Sequence, residues 1–184
     1  MPEGAIVMRP GAPSRLRETE EIRGALDRHF PRVLALGTDG YADGGDILIT
    51  PDTIYIGLSA RTNRAGAEDL RAKLAELGRE SRIAETPPGV LHFKTVSSLL
   101  SEDTVLVTKA MADSGFFTGF KLLVTPAGEE AAANALRVND MLFVGEAYPR
   151  TIDLLRQSNF NVRPLHVDEI AKLDAGLSCM SLRW

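Results

Sequence analysis

At 184 residues and 20.0 kDa, with 44% hydrophobic and 25% charged residues, the chain has the composition of one ordinary globular domain with a real core, which excludes a disordered or fibrous protein. A formal charge of −4 and a pI near 5.4 argue against nucleic acid as partner, because phosphate binding needs clustered Lys and Arg. No apolar run approaches the roughly 20 residues that span a bilayer, the first fifteen residues lack a signal-peptide pattern, and the single cysteine, Cys179, forbids an internal disulfide. The expectation is a cytoplasmic protein with no membrane partner.

The chain opens on a short apolar run at 5–8, then breaks over Arg9, Pro10, Gly11 and Pro13 into a shaped loop. Ser14 is the expected N-cap of a helix over 16–30, whose core face is Ile22, Leu26 and Phe30 at i, i+4 and i+8. A buried strand is expected at 33–36. The stretch that follows organises the rest. An acidic turn, Asp43-Gly44-Gly45-Asp46, leads into a strand at 47–50, Pro51 and Asp52 turn the chain, and 53–58 alternates back. Ile54, Ile56 and Leu58 would form an apolar face against Thr53, Tyr55 and Gly57. A helix then carries Ala65, Ala67, Leu70, Leu74 and Leu77 on one side.

Further on, 82–84 reads as a short strand, and 90–96 as an extended run paired with 103–108. A helical turn is expected at 109–112, an alternating strand through Phe120, Leu122 and Val124, and a hairpin turning at Asn139-Asp140. A helix at 151–157, a strand at 162–166, a short helix at 167–173 and an extended tail complete the reading. The elements recur loosely every 40 to 50 residues, a period compatible with a repeated β/α module. Neither GxGxxG nor a Walker A sequence is present, so nucleotide-binding readings of that kind drop out.

Cys179 follows Gly176, which frees the backbone, and its neighbours Ser178 and Ser181 are polar where a core strand would prefer Val or Ile. A lone cysteine is a small core residue more often than a nucleophile, and a nucleophile needs a base partner that a third group orients. Of the three histidines, His29 ends a helix, His166 precedes one, and His92 sits between Leu91 and Phe93. A histidine in such apolar company needs a hydrogen-bond partner, for which a carboxylate is a strong choice. Asp43 and Asp46 offer carboxylates or simply turn residues. Arg15 and Arg61 are either solvated or a clamp for the carboxylate of an amino-acid ligand.

Taken together and in order, RPGAPSR, DGGDI, IGLSARTNRAGAE, LHFK, AYPRT and LDAGLSCMSLRW resemble the dimethylarginine dimethylaminohydrolase family of the guanidine-modifying superfamily. The resemblance runs from about residue 5 to residue 184. It implies an α/β propeller of repeated ββαβ modules about a pseudo-fivefold axis, in a single domain over 1–184. It implies hydrolysis of asymmetric dimethylarginine or monomethylarginine to L-citrulline through a covalent thiouronium on cysteine, with no cofactor and no metal. Cys179 matches the family nucleophile, His92 its general acid/base and Asp43 the group orienting His92, where some relatives carry Glu. Arg15 and Arg61 match the arginines on the substrate α-carboxylate, and Leu173 a substrate contact. Deiminases carry His-x-Asp where this chain has His92-Phe93-Lys94, which favours a methylated substrate over arginine itself. The family also has a further module before the strand near Ala5, with a guanidinium-binding carboxylate motif that nothing here matches. About four of five modules are therefore expected, with impaired activity, or a non-catalytic relative that holds an amino acid or a partner chain; a homodimer is left open.

Overall fold

Three times along the chain, two strands joined by a tight connection are followed by a helix and a third strand. The computed structural model describes residues 3–173 and 175–181, and it resolves the chain into two compact units. The first holds residues 3–86 with Leu91–Phe93; the second holds Pro87–Val90 and the described residues from Lys94 onward.

In the first unit, β1 (Ala5–Val7) and β2 (Val33–Ala35) form a parallel two-stranded sheet joined by α1 (Leu16–His29). A three-stranded sheet follows, ordered β3-β4-β5. There β3 (Ile47–Ile49) runs antiparallel to β4 (Ile54–Leu58), and β4 runs parallel to β5 (Ser81–Glu85) across α2 (Arg64–Glu76). Asn63 caps α2 by accepting from the Gly66 N–H. Ile54, Ile56, Ala67, Leu70 and Leu74 form the buried core, with Ile6, Met8, Leu36, Ile47, Leu58 and Ile83 packed around it. Each fully buried Leu or Ile side chain contributes about 1.5–3 kcal/mol.

The second unit repeats the plan twice. In one sheet β6 (Ser97–Leu99) is antiparallel to β7 (Thr104–Val107), which is parallel to β8 (Lys121–Val124) across α3 (Lys109–Asp113). In the other, β9 (Leu136–Val138) is antiparallel to β10 (Met141–Gly145), which is parallel to β11 (Asn161–Leu165) across α4 (Pro149–Gln157). Asn139 takes the φ of +56° that the β9–β10 turn demands. A short helix, α5 (Asp168–Ala171), comes next. The core here includes Leu100, Leu106, Leu123, Leu142, Val144, Ile152 and Leu155. The start of α4 is capped from outside: buried Glu129 accepts from the N–H and hydroxyl of Thr151 and from the N–H and Nε of Arg150. Among the described residues no helix is long and apolar enough to cross a membrane.

Several sequence expectations are corrected. Ser14 does not cap α1; it lies in a 3-10 turn over Pro13–Arg15, and the helix begins at Leu16 with no side-chain cap. The helix has no buried residue and Ile22 is 41% exposed, because α1 joins a sheet of only two strands. Strand β2 is likewise half-buried to exposed rather than buried. The expected polar face of β4 is not polar. Tyr55 is as buried as Ile54 and Ile56, since β4 is the central strand of its sheet and is covered on both faces. Ala65 lies on the outer side of α2. The extended run at 90–96 is not a strand; it passes into a 3-10 turn over Phe93–Thr95, and the partner of β7 begins at Ser97. In β8 the buried side chain is Leu123 rather than Leu122 or Val124. Residues 177–180 form a turn, and the last part of the expected tail lies outside the described residues.

Candidate active site

The Asp43-Gly44-Gly45-Asp46 turn folds on its own side chain. Asp43 Oδ1 accepts from the Gly45 N–H at 3.0 Å and the Asp43 carbonyl from the Asp46 N–H at 3.0 Å, which closes a 3-10 turn over Gly44–Asp46. Gly45 must lack a side chain, because a Cβ there would lie 2.5 Å from the His92 ring. The imidazole therefore packs directly against the turn. Its Nε2 is 3.7 Å from Asp43 Oδ1, with the two side chains 16% and 13% exposed.

Asp43 has a second cationic neighbour. Its Oδ2 accepts from Arg15 Nη1 at 2.6 Å, while the rest of the Arg15 guanidinium meets Glu18. His92 first, then the Gly45 N–H and Arg15, hold the Asp43 carboxyl well below the usual carboxylate range despite its burial. Arg15 is correspondingly raised, Glu18 being the largest cause.

Asp46, which the sequence leaves as either a candidate carboxylate or a turn residue, is fully buried. Its Oδ2 accepts from the hydroxyls of Ser59 (2.7 Å) and Thr62 (2.6 Å), and its Oδ1 from the Phe93 N–H (2.7 Å). Burial pushes its carboxyl up, opposed by Thr62, Ser59 and the Phe93 N–H. Two carboxylates three positions apart are thus driven in opposite directions by their surroundings. Ser59 and Thr62 each hold a further group: the Ser59 hydroxyl accepts from the Arg61 N–H (2.9 Å) and the Thr62 hydroxyl from the Asp43 N–H (3.0 Å). Arg61 itself is half-buried, and among the described residues its guanidinium makes no hydrogen bond or ion pair.

In the second unit, Cys179 is exposed on a turn whose N–H donates to the Gly176 carbonyl at 3.0 Å. The neighbouring Ser178 N–H donates to Asn134 Oδ1 at 3.0 Å. A Cβ on Gly176 would come within 2.3 Å of Asn134 Nδ2, so Asn134 and Gly176 interlock. Leu173 is 79% exposed just after α5, and the residue that follows it lies outside the described set.

The structure thus brings Arg15, Asp43 and His92 into one cluster and ties the Arg61 backbone to it. Cys179 and Leu173 belong to the other unit. Sequence reasoning missed Asp46, Ser59, Thr62 and Asn134. The first three carried a faint signal, since a carboxylate and two hydroxyls flank strands that are otherwise apolar; Asn134 carried none.

A family model described as arginine deiminase matches residues 27–142. The chain is 35% identical over 181 residues to N(G),N(G)-dimethylarginine dimethylaminohydrolase of Pseudomonas aeruginosa, covering 98% of this chain and 71% of that one. It is 33% identical over 182 residues to the protein of the same name from Streptomyces coelicolor, covering 97% and 68%. The solved structure of a cysteine-to-serine variant of the P. aeruginosa protein, complexed with citrulline, superposes with a TM-score of 0.92 at 34% identity over 97% of this chain and 70% of that chain. The α/β propeller-like fold of these relatives is the fold class of this chain.

Proposed function

We propose that this chain, which belongs to the dimethylarginine dimethylaminohydrolase family, hydrolyses an Nω-methylated arginine to citrulline and the matching methylamine. The observation that carries the reading is the match along 98% of the chain to a relative bearing that name. Several features support it. A cysteine nucleophile in this sequence has one candidate, Cys179, and a variant of the relative with a cysteine replaced by serine has been captured with citrulline. His92-Phe93-Lys94, where deiminases carry His-x-Asp, favours a methylated guanidinium as substrate.

In the proposed chemistry the Cys179 thiolate adds to the guanidinium carbon and forms a C–S bond. Collapse of that adduct breaks the C–N bond to the methylated nitrogen, and His92 protonates the amine as it leaves. The cationic thiouronium remains on sulfur. Neutral His92 then takes a proton from water and the hydroxide adds to the same carbon; collapse breaks C–S and releases the thiolate, while the hydroxyl proton of the adduct passes to solvent, where the freed amine takes it up, and citrulline leaves neutral. Asp43 orients His92 and stabilises its protonated form. Arg61 and Arg15 hold the α-carboxylate and Leu173 contacts the substrate. A nucleophilic thiol needs a reducing compartment, and we assign the cytoplasm.

The test is citrulline release from asymmetric dimethylarginine. The wild-type chain should turn over and Cys179→Ser should not; turnover retained in Cys179→Ser, or none in the wild type, overturns the reading. Labelling adds a second check: an active-site thiolate reacts quickly with iodoacetamide and is protected by substrate.

A further inference from the structure

From the geometry we infer that Asp46 is a positioning residue that sets Asp43, His92 and Arg61 relative to one another; this rests on the hydrolase reading above. The Ser59 hydroxyl oxygen accepts the Arg61 N–H, and the Thr62 hydroxyl oxygen accepts the Asp43 N–H. Each hydroxyl hydrogen is therefore free to point elsewhere, and both point at Asp46 Oδ2. The third donor, the Phe93 N–H, belongs to the residue directly after His92 and meets Oδ1. Three donors converge on one carboxylate that has no solvent exposure. An ionised carboxylate accepts at every lone pair and donates nowhere, so it alone matches such a site.

Each arm ends at a different candidate residue. One runs Asp46–Ser59–Arg61, a second Asp46–Thr62–Asp43, and the third passes through the backbone to His92. A carboxylate that merely filled a hole would have no reason to reach all three. Its burial is costly, and apolar packing would be the ordinary solution for a core position beside β3. The carboxylate touches no reacting atom; it works by fixing the groups that do.

Cutting the arms separately tests this. Ser59→Ala severs the Arg61 arm and should raise KM for dimethylarginine about 10-fold with kcat little changed. Thr62→Val severs the Asp43 arm and should lower kcat about 10-fold with KM little changed, and Thr62→Ser, which keeps the hydroxyl, should restore it. Asp46→Asn places a donor among donors and should show both effects. A structural role alone would lower the melting temperature of all these variants without dividing KM from kcat. A readout without substrate separates this inference from the activity itself: the His92 ring resonances in 1H–15N NMR spectra should move in Thr62→Val and stay in Ser59→Ala. Unmoved His92 resonances in Thr62→Val, or equal losses of kcat and KM in both arm variants, overturn the positioning role. Absence of wild-type turnover with the resonance pattern intact overturns the hydrolase reading instead.

Discussion

Arg15 Nη1 lies 2.6 Å from Asp43 Oδ2, so the guanidinium expected to clamp a substrate carboxylate already holds a carboxylate of the protein. The pair is uneven in exposure, Arg15 at 43% and Asp43 at 13%, which leaves the arginine the partner more accessible to a ligand. If Arg15 binds substrate it must exchange one carboxylate for another, and its loss should appear mainly in binding. Arg15→Met is expected to raise KM by roughly 10- to 100-fold, the worth of one charge-assisted hydrogen bond, with a smaller change in kcat. Steady-state citrulline assays measure both. A fall in kcat at constant KM would move Arg15 from the substrate to the Asp43–His92 pair.

The same carboxylate gives the fold a pH dependence of known sign. His92, the Gly45 N–H and Arg15 hold the folded Asp43 carboxyl well below its value of about 3.9 in an unfolded chain. A depressed carboxyl stabilises the fold above the unfolded value and ceases to do so as pH falls through the folded one. The unfolding free energy of the wild type from urea titration should therefore fall as pH is lowered below about 5, by an amount on the order of 2 kcal/mol. Asp43→Asn should lose that dependence and converge with the wild type in acid. Parallel curves for the two proteins would contradict the coupling.

How far such features were legible in the sequence depends on how local their causes are. The β3–β4 and β9–β10 hairpins rest on Pro51-Asp52 and Asn139-Asp140, turn chemistry that neighbours dictate, and both were readable. The run around His92 was misread as a strand because its apolar residues suit one. Its Phe93 N–H goes to the Asp46 side chain rather than to a ladder, and nothing nearby announces that. Asp43 and Asp46 look alike in a DGGD turn. Which one is buried is decided by Ser59, Thr62 and Phe93, residues that only folding brings near. Similarly, Tyr55 alternates as a surface residue would, but β4 became the middle strand of its sheet.

In the second unit the cap on α4 should matter for stability rather than for turnover. Glu129 is 5% exposed and Thr151 fully buried, and burial pushes the Glu129 carboxyl up while Thr151 and Arg150 more than offset it. Glu129→Ala leaves the first N–H groups of α4 and the Thr151 hydroxyl without their acceptor, an expected cost of about 1–3 kcal/mol. Glu129→Gln keeps one acceptor oxygen and should cost less. Urea titration followed by far-UV circular dichroism ranks them; equal midpoints for Ala and the wild type would mean that water replaces the carboxylate.

The Asn134–Gly176 interlock predicts how the turn bearing Cys179 responds to a single added methyl. In Gly176→Ala the new Cβ would stand 2.3 Å from Asn134 Nδ2, inside any real contact distance, so either the amide or the turn must move. If the amide moves, the Ser178 N–H loses its acceptor; if the turn moves, Cys179 is displaced with it. Both routes disturb the thiol, which is exposed on the turn while Leu177 anchors the turn's start in the interior. Gly176→Ala should therefore change the rate of Cys179 labelling by iodoacetamide and cut kcat by roughly 10- to 100-fold, the loss expected for a misplaced reacting group. The melting temperature should fall by only a few degrees, because this position adds no cavity to the Leu142–Leu155 core. Asn134→Gly introduced into the same chain removes the clash but not the need for an acceptor, so labelling should return part of the way to the wild-type rate. Labelling and turnover unaffected by Gly176→Ala would show that the interlock does not position Cys179.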